Sequence, residues 1–308
     1  MKVFIDGSHG TTGLRIHERL EQRNDIELIS LSFEDRHNLE KRTEAINAAD
    51  IVFLCLPDDA AREAVGLCQN PGTVIIDTST AHRTSPGWTY GMAELEGMTD
   101  KIKSAKRIAN PGCHASGFIA LVQPLVANGI LDKGEVFSCL SLTGYSGGGK
   151  KMIAEYEASD RNPLLDAPRM YGLTQEHKHL KEMKIICSLE KEPLFMPVVA
   201  SFYSGMETVI PLSASQVNGT RADIEDIYRQ LYGNGLIRYA ENIGENGFAS
   251  ANAFSGRDDM QVGVSGNDER ILLVARFDNL GKGASGAAIQ NMNIAMGVDP
   301  CIGLSIGG

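Results

Sequence analysis

The chain opens with a short apolar run, Lys2 to Ile5, then the turn D-G-S-H-G-T-T-G (Asp6 to Gly13), then Leu14, Ile16 and Leu20 at helical spacing. That order predicts a strand, a glycine turn and a helix. Variations of the pattern follow. Ile26 to Leu31 reads as a strand, Ala45 to Ala49 closes a helix, and Asp50 to Leu56 is a buried strand. Ala60 to Cys68 reads as a helix and Thr73 to Asp77 as another strand, and a last short strand, Arg107 to Asn110, runs into Pro111-Gly112. Strands alternating with helices build a parallel, doubly wound sheet, so the expected class is α/β.

Beyond this point the periodicity changes. Longer alternating segments at Glu135 to Thr143, Ile185 to Leu189 and Glu207 to Leu212 predict a mostly antiparallel sheet. Helices are expected at Ala115 to Asn128, Lys178 to Met183 and Arg221 to Leu231. The glycine-rich stretch Gly144 to Lys150 reads either as a hairpin turn or as a nest of backbone N–H groups for an anion. In the final segment, Phe277 to Gly297, small residues at Gly283, Ala284, Gly286 and Ala287 open a helix expected to return to the first domain. The expected division is residues 1–114 with about 284–308 as one α/β domain, and 115–283 as a second, α+β domain.

Composition narrows the classes. The 308 residues, 43% apolar, suffice for two cores of ordinary size. A net charge of -10 with scattered basic residues disfavours a nucleic-acid surface. No basic-then-apolar leader and no apolar run of ~20 residues is visible, so a cytoplasmic protein off the membrane is expected. Six cysteines (55, 68, 113, 139, 187, 301) lack any C-x-x-C pair, which disfavours disulfides and zinc. Cys55 and Cys187 lie in apolar runs and read as strand cores. Cys113 differs: it follows turn formers and precedes a helix, where unpaired N–H groups and the helix dipole favour a thiolate.

The turn at Gly7, Gly10 and Gly13 has the spacing G-x-x-G-x-x-G, a loose form of the dinucleotide fingerprint. Its glycines, with Ser8, Thr11 and Thr12, could cradle a pyrophosphate at a helix N-terminus. After the second strand, Ser32 and Arg36 suit a ribose 2′-phosphate and point to NADP(H) rather than NAD, although Glu34 and Asp35 share the loop. Leu56-Pro57 and the loop Asp77 to Arg83, which includes Ser79, follow the next two strands at the ligand edge of such a sheet. Arg83 reads as a fork for carboxylate or phosphate, or as an ion-paired surface residue. Asn291 completes the expected cofactor set, and Ser146 and Gly147 are expected near substrate.

Four motifs in order carry a resemblance: G-S-H-G-T-T-G near the start, N-P-G-C at Asn110 to Cys113, Y-G-L-T-Q-E-H-K-H-L-K-E-M from Tyr171 to Met183, and K-G-A-S-G-A-A-I-Q-N-M-N from Lys282 to Asn293. Over nearly its whole length the chain resembles the N-acetyl-gamma-glutamyl-phosphate reductase family, in its shorter second type. The resemblance implies NADPH-dependent reduction of an acyl phosphate to N-acetylglutamate 5-semialdehyde. It also implies a Rossmann domain joined to a substrate and dimerisation domain, and a homodimer or homotetramer. By motif it makes Cys113 the nucleophile and places H-x-H-x-x-E on His177, His179 and Glu182, with His177 as acid/base and His179 and Glu182 as substrate-binding residues. Lys181 stands where the family more often has Pro. Arg83 and Tyr171 fall on positions that hold the substrate's carboxylate or phosphate.

The chemistry is consistent with these residues. A thiolate expels phosphate and leaves a thioester, a far better hydride acceptor than a carboxylate. A free thiol with pKa ~8.5 needs activation, for which His177 is the candidate, and the same ring could then protonate the thiohemiacetal oxygen. This reaction needs no metal. His114 remains without a role. The alternatives are an aspartate-semialdehyde-dehydrogenase-like reductase of another acyl phosphate and a nucleotide-sensing Rossmann protein without turnover.

Overall fold

The computed structural model describes residues 1–233 and 235–307. The chain divides into two compact units, Met1–Pro111 with Ala284–Leu304, and Gly112–Gly283 with Ser305–Gly308. Cys113, His114 and the last residues therefore fall in the second unit. Ser305 is held there by a pair of bonds: the Asp258 amide donates to its carbonyl at 2.7 Å, and its own amide donates to Asp258 Oδ2 at 2.8 Å.

In the first unit the elements run β1 (Lys2–Asp6), α1 (Thr11–Leu20), β2 (Glu27–Ile29), α2 (Leu39–Ala48), β3 (Ile51–Leu54), α3 (Asp58–Leu67), β4 (Val74–Asp77), β5 (Thr89–Tyr90), α4 (Met98–Ser104) and β6 (Arg107–Ala109). The six strands form one sheet in the order β2-β1-β3-β4-β6-β5, and every neighbouring pair is parallel. Side-chain alternation sorts its residues onto two faces. Val3, Ile5, Ile51, Phe53 and Ile76 join Ile16 and Leu20 of α1 in one core, while Phe4, Val52, Leu54 and Ile75 join Ala45, Ile46, Ala61 and Ala64 in the other. A sheet apolar on both faces must be covered on both, which is the doubly wound arrangement.

The second unit begins with α5 (Cys113–Ala127) and continues through β7 (Ser138–Gly144), α6 (Gly149–Glu157), β8 (Arg169–Met170), α7 (His179–Ile186), β9 (Leu194–Ala200), β10 (Met206–Ser213), α8 (Arg221–Leu231), β11 (Ile237–Tyr239), β12 (Met260–Gly266) and β13 (Arg270–Phe277). Its seven-stranded sheet has the order β11-β12-β13-β10-β7-β9-β8 and is mostly antiparallel, with β7/β9 and β11/β12 parallel. Helix α5 is apolar nearly all round and buried accordingly. Pro124 inside it has no N–H for the Ala120 carbonyl. The Tyr232 hydroxyl donates to that carbonyl at 2.8 Å, and Tyr228 caps the next one, Leu121, at 2.5 Å.

The last helix, α9 (Gly286–Met296), packs Ala288, Ile289 and Met292 into the first unit's core.

Two sequence expectations fail. Ile185 to Leu189 is not a strand: α7 runs to Ile186 and ends at the buried Cys187, because the buried positions His179, Leu180, Met183 and Cys187 repeat at helical spacing while Ile185 is exposed. Gly144 to Lys150 is neither hairpin nor open nest. Its first three N–H groups donate to the carbonyls of Gly205, Phe202 and Tyr203, and the chain then turns into α6. Cys55 lies just past β3, where burial pushes its thiol up to about 12.

Candidate active site

The turn between β1 and α1 is too tight for side chains. Gly7 sits at φ +90°, where a Cβ would lie 2.3 Å from the Cys55 carbonyl oxygen, and a Cβ at Gly13 would lie 2.4 Å from the Gly7 carbonyl oxygen. Gly10 is the N-cap of α1 and no side chain caps this end, so the helix presents its first backbone N–H groups, at Thr11 and Thr12. Beside the turn lies a cavity of about 560 Å³ whose walls include Gly7, Ser8, Gly10, Leu56, Pro57 and Arg36. A glycine cradle opening on such a cavity suits a dinucleotide.

Other expected cofactor residues are placed less uniformly. The Arg36 guanidinium lies 3.4 Å over the Phe33 ring, and its Nε donates to His37 Nε2 at 3.1 Å. The Ser32 hydroxyl donates to Asp35 Oδ2 at 2.8 Å and accepts from the Asp35 amide, so it is already engaged in its own turn. Ser79 donates to Asp77 from both amide and hydroxyl, and is absent from the cavity wall. Asn291 is fully buried: its Nδ2 donates to the Gly91 carbonyl and to Asn110 Oδ1, while its Oδ1 accepts no hydrogen bond within the described chain. Arg42, which the sequence reading passed over, is buried in the cavity wall and bonds to Asp6 Oδ2 at 2.9 Å and to Glu63 at 3.0 Å.

The loop after β4 is organised by Asp77. His82 Nδ1 pairs with Asp77 Oδ2 at 2.6 Å and its ring stacks on Trp88 with centroids 4.1 Å apart. Arg83, next in sequence, donates from Nε to the Asn110 carbonyl at 3.0 Å and from an NH2 group to the Thr78 carbonyl at 3.1 Å. Its fork is therefore held at the strand ends.

In the second unit Cys113 is the first residue of α5, and Gly112 is its N-cap, without a side-chain cap. The amide of Gly112 donates to the buried Glu182 Oε1 at 2.8 Å, which fixes the turn that carries the thiol. Close packing continues at Gly283, where a Cβ would come within 3.0 Å of Cys113 Cβ.

Beside Cys113 the structure gathers a cluster. Tyr171 Oη and His114 Nε2 are 2.6 Å apart, and His114 Nδ1 is 2.7 Å from Ser141 Oγ. The rings of His114 and His177 have centroids 5.9 Å apart, those of His177 and His179 4.8 Å, and those of Tyr171 and His177 6.1 Å. Phe195 packs against His114 and His177 at 5.2 Å and 5.0 Å. Burial, then the His177 charge, pushes His114 down to about 3, so it is neutral at neutral pH. Burial raises the Tyr171 hydroxyl well above its usual value, and a negative charge at Cys113 raises it further. His177 titrates below its usual value, through burial and the neighbouring Lys178 charge. The His179 amide donates to His177 Nδ1 at 3.2 Å, which places the proton of the neutral His177 ring on Nε2.

Tyr171, His177, His179 and Glu182 thus assemble around the start of α5, together with Cys113. The Ser146 hydroxyl accepts from Asn279 Nδ2 at 3.0 Å, and a Cβ at Gly147 would meet Thr143 Oγ1 at 3.2 Å. His114, Ser141 and Thr208 were missed from the sequence. The one signal available was an imidazole directly after the candidate nucleophile.

The sequence matches two family models: "Semialdehyde dehydrogenase, NAD binding domain" over residues 2–105 and "Semialdehyde dehydrogenase, dimerisation domain" over residues 113–279. Among similar curated proteins, N-acetyl-gamma-glutamyl-phosphate reductase 2 of a Nostoc species is 43% identical, with 98% of this chain and 99% of that protein covered. N-acetyl-gamma-glutamyl-phosphate reductase of Sinorhizobium medicae is 44% identical, with 96% and 98% covered. Among solved structures, aspartate semialdehyde dehydrogenase II of Vibrio cholerae complexed with ASA has a TM-score of 0.70 at 16% identity, covering 96% of this chain and 98% of that one. Aspartate semialdehyde dehydrogenase with NADP from Candida albicans has a TM-score of 0.66 at 16% identity, with the same coverage. At such identity the structural likeness establishes the fold alone. The near-full-length sequence relatives go further: this chain belongs to the N-acetyl-gamma-glutamyl-phosphate reductase family.

Proposed function

We propose that the protein reduces N-acetylglutamyl 5-phosphate to N-acetylglutamate 5-semialdehyde and phosphate with NADPH, through a thioester on Cys113, in arginine biosynthesis in the cytoplasm. The observation that carries this reading is Cys113 at the first position of α5, with its turn held by Glu182 and with Tyr171 and His177 in the adjoining cluster.

The first unit is the nucleotide-binding domain. Backbone N–H groups at Thr11 to Gly13 would hold the pyrophosphate, the Arg36 guanidinium would meet the 2′-phosphate, and the Asn291 carboxamide oxygen would accept from an amide of the cofactor. Bound NADPH supplies a hydride to the acyl carbon. The second unit holds the substrate and pairs with a second copy. Its sheet has a half-exposed apolar face: Val209, Leu140 and Met196 lie side by side on β10, β7 and β9, with Pro211 and Leu272 beyond them. Such a face favours a homodimer or homotetramer.

The steps follow from the residues. Cys113 reacts as the thiolate, which the N-terminus of α5 and the Nε2–H of His177 favour. Sulfur attacks the acyl carbon, the carbon–oxygen bond to phosphate breaks, and phosphate takes up the proton that the overall reaction consumes. After hydride delivery the tetrahedral oxyanion accepts a hydrogen bond from His177. It collapses to the aldehyde and returns the Cys113 thiolate. Glu182 acts on the turn rather than on substrate, and the Arg83 charge suits the substrate's carboxylate or phosphate.

The test is the reverse reaction, with purified protein, N-acetylglutamate semialdehyde, inorganic phosphate and NADP. Phosphate-dependent NADPH formation is expected. Activity with aspartate semialdehyde alone would move the substrate to the related reductase, and no turnover with either would favour a sensor.

A further inference from the structure

Helix α5 lies so close over β10 that a Cβ at Gly117 would meet Thr208 Oγ1 at 2.3 Å. This approach sets His114, one turn earlier, over two hydroxyl residues that are cross-strand neighbours: Ser141 on β7 and Thr208 on β10 are register partners, both fully buried. Their oxygens are 3.2 Å apart, Ser141 Oγ is 2.7 Å from His114 Nδ1, and His114 Nε2 is 2.6 Å from Tyr171 Oη. Four side chains from α5, β7, β10 and the segment before α7 therefore make one unbroken polar line through the interior of the second unit. Nothing in the fold requires it, since apolar residues of the same size would pack there without a partner to satisfy.

We propose that Thr208, Ser141 and His114 form a directed hydrogen-bond chain that leaves the Tyr171 hydroxyl proton free for the acyl oxygen at Cys113, making Tyr171 an oxyanion donor and His114 its positioning residue. The inference rests on the functional reading above. A neutral imidazole has one N–H and one acceptor nitrogen, so the line can run in only two senses. With the proton on Nε2, Thr208 donates to Ser141, Ser141 to His114 Nδ1, and His114 to the Tyr171 oxygen, whose own proton is then available to substrate. With the proton on Nδ1, His114 donates to Ser141 and Tyr171 must donate to His114. Negative charge at Cys113 decides between them. It attracts the Tyr171 proton, and each bond along the chain polarises the next. Burial keeps both Tyr171 and His114 uncharged, so neither transfers its proton outright. The result is a preorganised dipole aimed where charge develops in the transition state.

Nitrogen NMR of protein labelled in its histidines tests the direction, with the His114 signals assigned by their loss in His114→Gln. A proton on Nε2 is expected, and a proton on Nδ1 would overturn the chain. In the reverse assay Tyr171→Phe should lower kcat by roughly 10²-fold with little change in KM; a rise in KM alone would make Tyr171 a substrate grip and overturn the donor role. His114→Leu should lower kcat by roughly ten-fold when Tyr171 is present and not further in Tyr171→Phe. His114→Gln, which keeps an N–H facing Tyr171, should recover most of the loss. Additive losses, or no recovery, would contradict the proposal. If His114→Leu does not fold, Thr208→Val is read in the same cycle, with a smaller coupled loss expected and an additive one contradicting. Wild-type silence in the reverse assay would sink the functional reading alone, because the NMR result does not depend on turnover.

Discussion

Helices α1 and α5 open alike, and the proposed function uses them differently. Each starts on a glycine N-cap with no side-chain cap. At α1 the proposed cofactor residues are contiguous and the groups they offer are backbone: glycine at 7 and 13 is dictated by carbonyl oxygens that any Cβ would strike. At α5 the proposed working group is a side chain, and the residues gathered beside it, Tyr171, His177 and Glu182, come from far along the chain. A helix N-terminus is a generic anion site; what it binds is decided by whether backbone or a thiol is placed at its mouth.

Four substitutions or conditions sharpen that contrast. The largest effect is expected at Cys113: Cys113→Ser should abolish turnover while leaving the dissociation constant for NADPH near that of wild type by fluorescence titration. His177→Asn should slow turnover by roughly 10²–10⁴-fold, since it removes the Nε2–H donor; a near-normal rate in stopped-flow would move the role to His179. Gly13→Ala should behave inversely. Its Cβ would lie 2.4 Å from the Gly7 carbonyl oxygen, so NADPH should bind about ten-fold or more weakly, while alkylation of Cys113 by iodoacetamide proceeds at the wild-type rate.

The smallest effect concerns stability. Burial first, and the His177 charge second, lower His114 from 6.5 to about 3 in the folded state. The unfolded chain takes up a proton near 6.5 that the folded chain refuses until about 3. Stability is therefore lost as pH falls through that window, by up to about 1.4 kcal/mol per pH unit from this group. Urea unfolding at several pH values should show a shallower slope in His114→Gln than in wild type.

Legibility in the sequence follows the same contrast. The glycine turn, the buried parallel strands and Cys113 at a helix start could all be read, because each is a local pattern. Arg42 could not be read, because its place in the cavity wall depends on its bonds to Asp6 and Glu63. His114 was passed over because neighbours on a helix diverge, and it does diverge from Cys113, towards Ser141. Ile185 to Leu189 misled because a short apolar run has no period of its own, and the burial of Met183 and Cys187 with Ile185 exposed shows that the helix expected up to Met183 continues to Ile186. The setting of Ser146 was not legible either: its hydroxyl accepts from Asn279 and its amide donates to the Tyr203 carbonyl, both distant in sequence.

The proposed reaction turns on a covalent acyl group on Cys113. Protein mixed with N-acetylglutamyl 5-phosphate in the absence of NADPH, quenched in acid and digested, is to be examined by mass spectrometry of the peptide containing Cys113. An N-acetylglutamyl thioester on that residue is expected, removed by hydroxylamine and absent in Cys113→Ser. An unmodified Cys113 in a preparation that reduces the same substrate once NADPH is added would contradict it.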